Sequence, residues 1–212
     1  SLVNCPSMLS TMTNQHIKVV GMDPSMRNWG VAVGLLDTDS MKITIQELKV
    51  VSPKDVTTKT VRQNTKDIHV AHQHYSTLYP ILNRCSVSFV EAPVGSQNAA
   101  AMKAYGLCVG VLGSLSAHLT PPYELTAKQV KAVSGNDSAS KKQMISWAMK
   151  EHPEAPWPMK TIKGAPSPIE GMAEHMADAV ATIHAGILTP EFRQLLPFIK
   201  QTLQKEIQCE LR

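Results

Sequence analysis

The chain has 212 residues, of which 43% are hydrophobic and 18% charged, and a formal net charge of +4. A chain of this length buries a substantial core and reads as one domain with appendages. The composition excludes a membrane protein, because no run approaches the ~20 apolar residues of a span, and the charge permits an anionic partner without demanding one.

Residues 1–16 lack the basic segment and apolar stretch of a signal peptide, so we read them as a leader or disordered extension, with Met8 or Met12 as a natural start. The body of the domain spans residues 17–188 and is organised around 17–34, IKVVGMDPSMRNWGVAVG. There Val19, Val20 and Met22 predict a buried strand that ends at Asp23. Pro24-Ser25 is turn chemistry, and an apolar run resumes over 29–35. The turn Asp37-Thr-Asp-Ser40 predicts that 41–51 pairs back as a hairpin. Residues 60–79 predict a helix with Ile68, Ala71, Tyr75, Leu78 and Leu82 on one stripe, kinked or ended by Pro80. Residues 85–92 predict a strand that again ends in an acid, Glu91, before Pro93 and Gly95 break it.

A long helix rich in Ala and Gly follows over 98–118, then a short strand over 121–125. Residues 126–133 carry Lys128 and Lys131, and Ser138 or Ser140 caps a helix over Lys141–Glu151. Residues 152–171 hold five prolines and read as a loop or insertion. The last core helix covers 171–188, with Met172, Met176, Ala179, Val180, Ile183 and Ile187 as its apolar face, and Thr189-Pro190 ends it. Residues 189–212 form a C-terminal helical extension whose stripe of Leu196, Ile199, Leu203 and Ile207 packs either on its own core or on a second copy. The order predicts an α/β fold, a central mixed five-stranded sheet with helices on both faces. Cys5, Cys85, Cys108 and Cys209 have neither zinc spacing nor a disulfide framework, which implies a reducing compartment such as the cytoplasm.

Three acids stand out: Asp23 and Glu91 at strand ends and Asp178 on the last core helix. His175 shares a helical face with Asp178, and Glu174, four residues before Asp178, competes with it for a place in the site. Crowded carboxylates repel unless cations intervene. One or two Mg²⁺ ions suit oxygen ligands and a phosphate substrate, and Mn²⁺ tolerates the imidazole. The alternatives are a turn aspartate at Asp23, a hydrogen-bonded helix histidine at His175 and a solvated charge at Asp178. Lys128, Lys131, Lys141 and Lys142 form either a phosphate-holding segment or a solvated face.

The stretches VVGMDPSMRNWGVAV, VSFVEAPVGSQNAAAMKAYG, YELTAKQVKAVSGNDSASKKQ and EHMADAVATIHAG resemble, in order, the RuvC family of Holliday-junction resolvases within the RNase H-like nuclease superfamily. The resemblance implies an RNase H-like fold and two Mg²⁺ or Mn²⁺ ions at Asp23, Glu91, His175 and Asp178. It places Lys131 and Lys141 at catalytic or phosphate-touching positions, and matches Asn98 and Gly106 to the helix after the second acid. It further implies a homodimer that makes paired symmetric nicks in four-way DNA junctions during recombination or repair. Three features depart from the family. Val94 stands where an aromatic residue usually stacks at the crossover, which puts selectivity for junctions over other branched DNA in question. The 152–171 segment is longer and the tail is extra, as in a divergent member of bacteriophage type.

Overall fold

The computed structural model describes residues 15–54, 60–162 and 165–210, the side chains of 204–210 excepted. The leader up to residue 14, with Met8, Met12 and Cys5, lies outside the described residues, as do the side chains of Ile207 and Cys209.

Alternation along the first strand, β1 (His16–Asp23), creates two cores. Ile17 and Val19 turn to one face of the sheet and Val20 and Met22 to the other. β2 (Trp29–Asp37) and β3 (Ile43–Val51) add antiparallel, and β4 (Val87–Glu91) and β5 (Tyr123–Leu125) add parallel. The result is the expected mixed five-stranded sheet, ordered β3-β2-β1-β4-β5. β1 is central, which is why nearly every residue in it is covered. Helices cover both faces: α1 (Gln63–Asn83) and α2 (Ala99–Ser116) pack on the Val20–Met22 side, and α4 (Lys141–Glu151), α5 (Glu170–Ile187) and α6 (Pro190–Glu210) on the other.

Two glycines decide how close α5 comes. A Cβ on Gly21 would collide with the Ala179 carbonyl, and one on Gly30 with the His175 carbonyl. Because both positions lack a side chain, the helix backbone rests directly on β1 and β2 beside Asp23.

Several expectations need correction. Pro80 does not end α1, which continues to Asn83. Its missing N–H is tolerated because Leu78, Ile81 and Leu82 are buried on either side of it. Ile68 is exposed and not part of the buried stripe. Residues 126–133 contain a further helix, α3 (Ala127–Ala132), opened by a capping box between Thr126 and Gln129. Residues 152–171 are not a plain loop: they carry a hairpin of β6 (Met159–Ile162) and β7 (Ala165–Pro168), while His152, Ala155 and Trp157 are buried. The tail stripe, by contrast, follows the first of its two readings: Leu196, Ile199 and Leu203 pack against the chain's own core. Against the expectation of no span, α2 is long and apolar enough to cross a membrane, at 18 residues and a mean hydropathy of 1.3. It is docked on the sheet through Cys108, Val111 and Leu115, and the rest of it is less covered.

Candidate active site

Asp23 and Glu91 come together because β1 and β4 run parallel in register. Met22 pairs with Val90, so each acid stands one residue beyond that pair at the carboxyl end of its strand. In open α/β sheets this edge is where ligands bind. Strand alternation points both acids to the face that α5 crosses. α5 then supplies Glu174, His175 and Asp178 from one side of its first turns.

The His175 Nδ1–H donates to Asp23 Oδ2 over 2.8 Å. That bond holds the His175 pKa above its ordinary value and leaves Nε2 free to accept a proton or ligate a cation. Burial, reinforced by the Asp23 and Glu91 charges, pushes the Asp178 carboxyl up to about 7. Burial and the Asp23 charge push Glu91 up to about 7 as well, with Lys131 pulling the other way. The site therefore crowds negative charge that its own cations do not neutralise.

Among the described residues no group of three or more His, Cys, Asp or Glu side chains is set closely enough to hold a metal ion. What stands at the strand ends is an Asp–His pair and two further carboxyls. The donor chemistry nevertheless fits a divalent cation: three carboxylates, one free imidazole nitrogen and an uncompensated charge.

The lysines divide. Lys131 acts on Glu91 electrostatically. Lys141 pairs with Glu174 at 2.5 Å, and its pKa is raised by that bond, with Asp178 and Asp23 adding to the rise. Lys128 turns to Asp137 at 3.2 Å, and Lys142 lies exposed on the first turn of α4. Asn98 caps α2, its side-chain oxygen accepting from the amides of Ala100 and Ala101. Gly106 meets nothing on the open face of α2, and Val94 is 80% exposed.

Two contributors were not legible in the sequence. His74 on α1 is fully buried, and its Nε2–H donates to the Met26 carbonyl over 2.9 Å, fixing the loop after Asp23. Burial lowers its pKa, so it does this as a neutral ring. Tyr105 on α2 lines a cavity with Asp23 and Glu91.

The sheet order β3-β2-β1-β4-β5 with helices on both faces is an RNase H-like α/β fold. Among solved structures this fold is similar to Thermus thermophilus RuvC. The structure of that protein in complex with a Holliday junction substrate superposes with a TM-score of 0.58 at 20% identity, over 84% of this chain and 98% of that one. A second Thermus thermophilus RuvC structure gives a TM-score of 0.50 at 20% identity, over 81% and 95%. No family model matches the sequence, nor does any curated protein. The resemblance to RuvC that the four sequence stretches carry is thus matched in the fold.

Proposed function

We propose that this chain is a divalent-metal-dependent endonuclease that cuts branched DNA, four-way junctions first. The observation that carries the reading is the convergence of Asp23, Glu91, His175 and Asp178 at one sheet edge, within a fold that covers nearly all of RuvC. When bound there, Mg²⁺ or Mn²⁺ would supply an activated water and neutralise charge on the leaving oxygen. Asp23, Glu91 and Asp178 would hold the cations. His175, fixed by Asp23, offers Nε2 as a further ligand or as acceptor for a proton from the attacking water. In this reading Lys131 and Lys141 would meet the phosphate, and Lys128, Lys142 and Asn98 would contact DNA farther out. The strand that is cut keeps a 5′-phosphate and a 3′-hydroxyl end.

A four-way junction has two-fold symmetry, so paired nicks require a two-fold dimer. The little-covered face of α2, with Gly106, Gly110 and Gly113 open and Met102 and Val109 exposed, supports placing the second copy there. Exposed Val94, which has no ring to stack on a base, favours a second reading in which forks and flaps are also cut.

The test is nicking of a four-way junction, a replication fork, linear duplex and an RNA–DNA hybrid with Mg²⁺, Mn²⁺ or EDTA. We expect metal-dependent paired nicks in the junction. Cutting of every branched substrate supports the broader reading. Binding without nicking in any metal would make this a branched-DNA binding protein instead.

A further inference from the structure

Lys141 and Glu174 reach each other from two helices whose roots are fixed. Ser140 caps α4 and accepts from the Gln143 amide, so Lys141 opens that helix at a set position. Glu174 follows buried Ala173 on α5, with buried Ala177 one turn on. α4 and α5 run side by side in one direction: Lys141 meets Glu174 at the end that carries the acids, and His152 meets His184 at the other. The Lys141–Glu174 pair closes over 2.5 Å, and its two side chains are unequal. That of Glu174 is 22% exposed and that of Lys141 is 76% exposed, so the lysine is the partner free to leave. Glu174 belongs to the acid cluster, since its charge helps to hold both Asp178 and His175 above their ordinary pKa values. Asp178 and Asp23 in turn act on Lys141. Lys142, the next residue, is exposed and has no acidic partner among the described residues.

We propose that Glu174 is a latch on Lys141: it holds the ammonium beside the acids in the free protein and yields it to a DNA phosphate on binding. This rests on the nuclease reading and adds to it a positioning residue that acts through Lys141. Two anions compete for one ammonium, and an ammonium on a flexible four-carbon stem changes partner by rotamer changes alone. The exchange trades one ion pair for another, so the latch weakens DNA binding by the worth of the internal pair. An exposed pair of this kind is worth little, which is what lets the phosphate win. In return, the cation stands over the cluster before DNA arrives, and the Glu174 carboxylate is released only once a phosphate has taken its place. Lys131, which forms no ion pair among the described residues, needs no such release.

Acetic anhydride labelling of the free protein, read by mass spectrometry, compares Lys141 with Lys142. We expect Lys141 to label more slowly in wild-type protein, and the two lysines to label alike in Glu174→Gln. Equal rates in wild-type protein would overturn the proposal. Affinity for a fluorescent four-way junction is then measured in EDTA, at fixed ionic strength, for wild type, Glu174→Gln, Lys141→Ala and the double variant. Glu174→Gln should tighten binding about threefold where Lys141 is present, the worth of one exposed ion pair. It should not tighten binding at all in the Lys141→Ala background. Equal tightening in both backgrounds would mean that Glu174 merely repels DNA. No tightening in either would mean that the pair does not compete with phosphate. Each of those results overturns the proposal and leaves the nuclease reading intact. If wild-type protein neither binds nor nicks branched DNA, that reading falls and takes the proposal with it.

Discussion

Glu91 and Asp178 carry the site's excess charge, and both titrate near neutrality because burial disfavours their ionised forms. A divalent cation must displace those protons, so its affinity should rise with pH. We expect Mn²⁺ binding, measured by calorimetry, to tighten between about pH 6 and pH 8. A flat profile would contradict the placement of the metal. In the metal-free protein the sign for stability is the reverse of the common carboxylate case. The folded values lie above the ordinary 3.8 and 4.5, so the stabilisation is full below those values and is lost as pH rises through about 7. Melting temperature should therefore fall over that window and be restored by Mn²⁺. The two strand-end acids were legible because a carboxylate closing an apolar run is costly without a partner. Asp178 and His175 were legible from helical spacing. Tyr105 and His74 were not, because an aromatic in a Gly-rich helix and a histidine in an amphipathic one read as packing. Only the fold shows that one faces a cavity and the other holds the Met26 carbonyl.

Among the elements, α5 matters most, and its seat on the sheet depends on two missing side chains. Gly30→Ala places a Cβ against the His175 carbonyl. Overpacking of this kind costs about 1–3 kcal/mol and shifts the helix. We expect a lower melting temperature together with slower nicking, since the shift draws His175 away from Asp23; unchanged nicking would mean that the helix has room to spare. The far end of α5 carries a hydrogen-bonded chain of His184, His152 and Glu154. His152 Nδ1–H donates to Glu154 Oε1 at 3.0 Å, so His152 Nε2 accepts from His184 Nε2–H at 2.7 Å. Glu154 Oε1 also accepts from the Ile45 amide, tying these three residues to β3. Burial and the neighbouring His152 depress His184 to about 4. Its stabilising contribution is present above the ordinary 6.5 and is lost as pH falls through about 4. Thermal melts should show that acid loss in wild-type protein and a shallower one in His184→Asn. The hairpin Met159–Pro168 was illegible because prolines usually break strands. Pro166 and Pro168 sit at alternate positions of β7, and a two-stranded ribbon needs only every second amide for pairing. α3 was illegible because six residues give too little periodicity, although the Thr126–Gln129 capping box marks its start.

Across the whole molecule, the tail and α2 are covered unequally. The amphipathic tail spends its stripe on the chain's own core, while α2, which reads as a packed core helix, buries only Cys108, Val111 and Leu115. Helix periodicity identifies an apolar face without saying which surface covers it. The sheet and its helices were legible because strand runs, turns and parallel crossovers restrict the topology to few choices. A second copy on α2 would bring two acid clusters to one junction, each cutting one strand. The most direct measurement compares wild-type and Asp178→Asn protein on one four-way junction with Mg²⁺, following binding and nicking together. Equal binding by the two proteins, with paired nicks from wild type alone and at least about a hundredfold loss in the variant, is the outcome this account requires. Nicking by Asp178→Asn at the wild-type rate would contradict it.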